Sequence, residues 1–423
     1  MSGVNLNKLG DGDGGYPQYL YYLLYISTFL APWFALFPTS AGLYEVVLLI
    51  LFSLLVIRGK ELVLPDKYVS AAILLIIFGY SISVFNAQEP TEAIKLPLQL
   101  TFIFIIQSSV LYTLTRTRRQ LYHHAIALVF SLFAMVIYFA ITNMSDSNFM
   151  NGRLILFFDN PNVFALHIAP ATVLGAYIAY SKWKQDRIQP MVLTGAIAII
   201  GIALIVLSQS RRVFIYLFIS IFLIVGTSFG RRDRILNLAV KGGVIALSFG
   251  VLGILLLASG FVPDIFIERL NVLDGRGSLD NRIIPIILGF RFLKENLIFG
   301  AGYNNFMNHL DYLAITPLEK RYAHKPHNMF IIPFVEGGIF AGFGISALTG
   351  IISWRSVRSW KSGLFEYSEI AFVFVVCTFS FFASQMFGVF SLLRLNWLMM
   401  FLCLISLNIV ADRGQSPEQA GEV

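Results

Sequence analysis

The stretch PMVLTGAIAIIGIALIVLS, Pro190 to Ser208, is nineteen residues long and holds no Asp, Glu, Lys or Arg. Coiled as a helix it would rise about 28 Å, close to the ~30 Å of a bilayer's hydrocarbon core. It runs directly into Gln209-Ser210-Arg211-Arg212. Two guanidinium groups at the edge of such a run must find phosphates, other anions or carboxylates. A span ending in an unexplained charge pair sets the terms for the rest of the chain.

Similar runs recur on both sides. They lie near 17–37, 42–57, 68–86, 96–115, 121–143, 161–181, 190–208, 213–229, 236–260, 327–353, 367–387 and 389–411. The sequence therefore predicts an all-α, polytopic membrane protein with about twelve transmembrane helices, forming a single membrane domain over 1–423. The short run at 42–57 and the near-absent loop at 387–389 leave eleven as the alternative. The first run is too long for a signal-peptide core and no small-residue cleavage site follows it, so it reads as a retained span. Composition agrees. Of 423 residues, 57% are hydrophobic and 13% charged, with 39 Phe, where a soluble protein carries about 25% charged residues. That excludes a soluble globule and a disordered chain. Cys377 and Cys403 both sit inside apolar runs, which excludes a disulfide framework and a cysteine metal site. The net charge of +7 marks loop orientation here and not nucleic-acid binding.

Basic residues cluster in alternate loops: Arg58, Lys60 and Lys67; Arg116, Arg118 and Arg119; Lys182, Lys184 and Arg187; Arg231, Arg232 and Arg234; Arg355, Arg358 and Lys361. The positive-inside rule makes these cytoplasmic, with both termini, and turns segment 261–326 outward. Arg211 and Arg212 break that rule on the outer side. Segment 261–326 breaks it too, but long loops escape the charge rule. Within it, Arg282 to Phe299 places Ile283, Ile286, Ile287, Phe290, Leu293 and Leu297 at helical spacing. This predicts a helix along the membrane surface, stopped by Gly300-Ala301-Gly302.

Four clusters share the predicted outer face. Gly152-Arg153-Leu154 precedes Asp159-Asn160-Pro161-Asn162, where Asn160 suits a helix N-cap. An outward helix N-terminus can also receive an anion; capping alone is the simpler account of Asn160 and Asn162. Ser208-x-Ser210-Arg211-Arg212 offers planar forks matched to phosphate oxygens, with snorkelling to headgroups as the competing account. Arg282 lies on the surface helix. His327-Asn328 opens a later span, and Glu336-Gly337-Gly338 follows. A histidine at a helix start is held neutral by the macrodipole, hence able to accept a proton. His309 and His324 are nearby loop residues, His123 and His124 read as interfacial on the cytoplasmic side, and His167 sits inside a span. No phosphate-binding Gly-x-x-x-x-Gly-Lys-Ser/Thr loop and no His-Glu-x-x-His box occurs, so neither ATP-driven work nor a bound metal is expected.

In this order the clusters resemble the O-antigen ligase and polymerase family, polytopic glycan transferases of the GT-C type. The matching residues are Gly152-Arg153-Leu154 with Asn160-Pro161-Asn162, Ser208-x-Ser210-Arg211, Arg282 followed by Phe299-Gly300-Ala301-Gly302, and His327-Asn328 with Glu336 and Gly338. They cover roughly 150–345. One departure is that Gly338 is followed by Ala341, where the ligase type shows Gly, Thr or Tyr.

The resemblance implies a glycosyltransferase of lipopolysaccharide or other polysaccharide biosynthesis, needing no metal or other cofactor. It would sit in a bacterial inner membrane with its active site periplasmic. Its partners would be membrane lipids, a glycan donor on undecaprenyl diphosphate, and an acceptor that is lipid A–core for a ligase or a second lipid-linked glycan for a polymerase. A chain-length regulator is a further possible partner. His327 would take the acceptor proton. Arg211 and Arg282 would hold the diphosphate, with Arg153 and Arg212 as supporting charges, and Asn160, Asn162, Ser210, Asn328 and Glu336 would support them. A rival from another class is a polysaccharide flippase or secondary transporter. Those carry ionisable residues near the midplane, and Glu336, about two turns into its span, keeps that reading open.

Overall fold

The computed structural model describes residues 16–36, 42–142, 149–150, 153–156, 158, 160–227, 276–326, 328–385 and 394–414. The described residues are helical except for turns, loops and one two-residue hairpin. In chain order the main helices are α1 (Gln18–Leu30), α2 (Leu43–Ile57), α3 (Lys67–Ser83), α4 (Pro90–Leu114), α5 (Arg118–Ile141), α6 (Pro161–Trp183), α7 (Ile188–Ser208) and α8 (Arg211–Thr227). They continue with α9 (Arg276–Asn296), α10 (Ile331–Lys361), α11 (Glu369–Gln385) and α12 (Arg394–Gly414). Among the described residues, seven helical segments are long and apolar enough to cross a membrane: 67–86, 90–114, 118–141, 161–183, 188–208, 331–361 and 395–412. Helices α2 and α11 are apolar but shorter. Each predicted run but one coincides with a helix; the run at 236–260 lies outside the described residues.

Glycine sets how closely α3 and α10 approach. A Cβ on Gly79 would stand 2.4 Å from the Ala341 nitrogen, and one on Gly344 would stand 2.9 Å from the Ala72 carbonyl oxygen. Small residues at such seams let membrane helices pack backbone to backbone. The pairing is antiparallel, because Arg355 Nη1 donates to Asp66 Oδ2 at 2.7 Å near the start of α3. Helices α6 and α7 form a second antiparallel pair across the 184–187 turn. Helix α8 packs along α11, with Ser220 Oγ donating to Ser380 Oγ at 2.8 Å.

These registers give the bundle two ends. At the basic end, Lys182 Nζ lies 5.2 Å from the Tyr122 ring centre, Arg58 5.2 Å from that of Tyr19, and Tyr177 Oη 3.3 Å from Glu369 Oε2. The opposite end carries the chain between α9 and α10 and is called the loop end. His124 corrects an expectation: it is not interfacial but fully buried, its ring nitrogens 2.7 Å from Thr28 Oγ1 and 2.9 Å from Thr115 Oγ1.

Candidate functional site

Helix α10 is broken near its start. Gly338 has φ 68° and ψ −168°, a conformation essentially restricted to glycine. In an unbroken helix the Val335 carbonyl would accept from the Ile339 N–H. Here the Val335 carbonyl accepts from the Ala301 N–H at 2.8 Å and the Glu336 carbonyl from the Gly302 N–H at 2.8 Å. The Ile339 N–H donates to the Leu297 carbonyl at 2.8 Å. Residues 297–302 thus supply the partners that the break removes, as buried backbone requires. The sequence reading of Gly300-Ala301-Gly302 as a helix stop holds, and the stop also builds this seam.

The seam carries a buried ion pair. Lys325 Nζ lies 2.6 Å from Glu336 Oε1, with the glutamate side chain 2% exposed and the lysine 20%. The Asn304 N–H donates to the same oxygen at 3.1 Å. Lys325 also lies 5.5 Å from the Tyr303 ring centre. Burial pushes the Tyr303 hydroxyl pKa up, while the Lys325 charge pulls it down. Tyr80, fully buried on α3, packs against Gly337, and its hydroxyl has no hydrogen-bond partner among the described residues. The sequence reading takes in Lys325 only as part of the basic outer segment 261–326, and it passes over Tyr80. Neither spacing nor residue type marks them; only the break brings them together.

Two asparagines tie this lobe to the turn after α3. Asn86 Nδ2 donates to the Gly300 carbonyl at 2.6 Å. Asn305, fully buried, accepts the Glu89 N–H on Oδ1 at 2.6 Å and donates from Nδ2 to the Glu89 carbonyl at 3.3 Å. Further out, Arg291 Nη2 lies 2.7 Å from Glu319 Oε1, and Glu319 Oε2 accepts the Ile315 and Thr316 N–H groups at 2.8 and 2.9 Å. The Arg291 hydrogen bond, then these amides, hold the Glu319 carboxyl down to about 2.

The predicted site residues fall as follows. For Arg153, Arg211 and Arg282 the backbone alone is described, and His327, Gly152 and Asp159 lie outside the described residues. Arg153 pairs with Met150 in the hairpin, and the Arg153–Leu154 strand packs on α6 and α7 at the end away from their 184–187 turn. Asn160 caps α6, its Oδ1 accepting the Asn162 N–H at 2.8 Å. Ser210 precedes α8; its carbonyl accepts from Val213 and Phe214, and the left-handed Gln209 turns the chain from α7 into α8. Arg212 is half-buried and Ser210 fully buried.

Arg282 is on α9, which runs from Arg276 to Asn296 and so starts six residues before the predicted helix and ends three before it. That helix packs on the start of α10, where a Cβ on Gly289 would lie 3.4 Å from the Pro326 ring. Asn328 Oδ1 accepts the Phe330 and Ile331 N–H groups at 2.9 and 3.2 Å and so opens α10. The Met329 N–H donates to the Gln385 carbonyl at 3.2 Å, joining that start to the end of α11.

Segments 153–154 and 208–212, residues 326, 328 and 329, and the seam around Glu336 therefore share the loop end. At this end Ser210 Oγ and Gln385 Oε1 are buried without a hydrogen-bond partner among the described residues. Leaving such groups unsatisfied costs about 1–3 kcal/mol each.

Comparison with known proteins gives one family. Residues 196–346 match the model of a family described as O-Antigen ligase. The match takes in Arg211, Arg282, the 297–302 strip, position 327 and the break at Gly338, and starts beyond Arg153 and Asn160. No curated protein matches the chain.

Proposed function

We propose that the protein, whose residues 196–346 match the O-antigen ligase family model, transfers a glycan from undecaprenyl diphosphate to a sugar hydroxyl at the periplasmic face of a bacterial inner membrane. Arg211 and Arg282 bind the diphosphate, with Arg153 and Arg212 adding charge. Asn160, Asn162, Ser210, Asn328 and Glu336 support the elements that carry them. The acceptor oxygen bonds to the anomeric carbon as the bond from that carbon to the diphosphate oxygen breaks. The acceptor proton passes to the His327 imidazole, and undecaprenyl diphosphate leaves. Stabilising the departing charge with guanidinium forks needs no metal. A base within reach of the hydroxyl contributes roughly 10²–10⁴-fold.

The observation that supports this reading is the sharing of one end by segments 153–154 and 208–212 and by residues 326, 328 and 329, all but the first inside the family match. The ligase reaction, with lipid A–core as acceptor, is the first reading. Ala341, standing where ligases show Gly, Thr or Tyr, leaves the polymerase reaction open as the second. The transporter reading loses its main support, since Glu336 is an ion-paired residue of the α10 break.

The test is transfer by purified protein from a lipid-diphosphate glycan, with a chelator present and ATP absent, offered two acceptors. Consumption of lipid A–core selects ligase; growth of the donor alone selects polymerase. His327→Ala is expected to abolish transfer while donor still binds. Arg211→Lys is expected to lower it steeply, because a point charge cannot form the fork. Full activity in either variant removes that residue from its role, and lipid movement across liposomes without transfer overturns the enzyme.

A further inference from the structure

We infer that the basic end of the α3–α10 pair holds a binding groove for one anionic phospholipid, with an acyl chain over Gly350 and the phosphate on Arg358. The site is independent of the transfer proposed above and lies at the other end of the bundle. The groove has a volume of about 590 Å³ and is lined by Tyr68 of α3 and by Ala347, Gly350, Ile351, Trp354, Arg355 and Arg358 of α10. The α10 residues recur at spacings of three and four, so they form one stripe of that helix. From Ala347 to Arg358 the stripe rises about 16 Å, the length of a good part of an acyl chain.

Gly350 is the observation that separates this groove from ordinary lipid-facing surface. Gly79 and Gly344 are required by backbone contact between α3 and α10, whereas a Cβ on Gly350 would meet nothing within 4 Å. Glycine is a poorer helix former than alanine, and packing among the described residues does not call for one here. Its effect is a notch in the stripe, open to the surroundings and walled by apolar atoms.

Charge decides which lipid fits. Arg355 is matched by Asp66 at 2.7 Å. Arg358, one turn further along, is exposed and has no carboxylate within ion-pair distance among the described residues. Trp354, 70% exposed, lies between Gly350 and Arg358 on the stripe, and Tyr68 of α3, 62% exposed, lines the same groove. Aromatic rings at the headgroup level with a guanidinium beyond them suit an apolar tail ending in a phosphate. A polybasic surface gains about fivefold in affinity for anionic lipid per cation.

The test is native mass spectrometry of the full-length, delipidated protein titrated with dioleoyl-phosphatidylglycerol or dioleoyl-phosphatidylcholine. The wild type is expected to retain one phosphatidylglycerol per chain, about fivefold or more in preference to phosphatidylcholine. Gly350→Leu fills the notch and is expected to lose the retained lipid without a fall in thermal midpoint; Ala347→Phe gives a second filling of the same stripe. Arg358→Glu is expected to abolish the preference, whereas Lys320→Glu at the loop end leaves it intact. Equal retention of both lipids by the wild type, or unchanged retention in both filled variants, overturns the site. Displacement of phosphatidylglycerol by undecaprenyl phosphate at lower concentration assigns the groove to a polyprenyl chain and overturns the phospholipid occupant.

Discussion

Gly300 and Gly338 lie so close that neither can carry a side chain: a Cβ on Gly300 would stand 2.5 Å from the Gly338 nitrogen, and one on Gly338 would stand 2.1 Å from the Ile298 carbonyl oxygen. Both have φ 68°. Gly338→Ala therefore combines backbone strain of about 1–3 kcal/mol with a collision against backbone. It is expected to lower the thermal midpoint in detergent sharply and to abolish transfer. Gly350→Ala, twelve residues along the same helix, meets open space and is expected to keep the midpoint or raise it.

Lys325 and Glu336 make a different prediction. Removing one partner of a buried ion pair leaves an uncompensated charge, which costs about 3–5 kcal/mol, whereas replacing both by apolar residues is close to neutral. Glu336→Leu and Lys325→Met are each expected to destabilise the loop end strongly, and the double variant is expected to recover most of the loss. A double-mutant cycle on thermal unfolding measures this. Additive effects would show that the pair is not coupled.

Asn305 clamps the turn at Glu89 with both ends of its amide. Asn305→Ala strands the Glu89 N–H and carbonyl, at about 1–3 kcal/mol. Hydrogen exchange is expected to quicken over 296–309 and 86–90, with α6 and α7 unchanged. Uniform acceleration along the chain would mean that the residue supports the whole bundle instead.

Glu319 gives the loop end a pH dependence with a definite sign. Its carboxyl is lowered from 4.5 to about 2 by the Arg291 hydrogen bond and by two amides. The folded form thus binds fewer protons than the unfolded form between those values. The stabilisation is present in full above pH 4.5 and is lost as pH falls toward 2. The difference in thermal midpoint between wild type and Glu319→Gln is expected to be constant above pH 5 or so and to shrink below. A difference that grows on acidification would contradict this sign.

Hydropathy made the helices legible, because a span in lipid must be long, apolar and internally hydrogen-bonded. Asn160 and Asn328 were legible as helix starts, since a short acceptor side chain satisfies the first free N–H groups locally. The path of α10 was not. Residues 327–353 read as one continuous span, and although Gly338 belongs to the family resemblance, nothing local marks it as a break. The break exists because a strip some forty residues earlier supplies the missing hydrogen bonds. Lys325 and Tyr80 escaped notice for the same reason: their significance comes from tertiary neighbours and not from local pattern. Gly302 shows the limit from the other side. It reads as a helix stop, yet a Cβ there would also lie 2.6 Å from the Ala87 side chain, a contact across the fold.

The exchange of hydrogen bonds between 297–302 and 335–339 also governs how the protein can be recombined. Each strip is the template for the other, so a chimera that inherits one strip from a relative and keeps the other from this chain would mismatch at both glycines. Grafts from a relative should therefore cut before 297 and after 339, moving both strips as a single cassette.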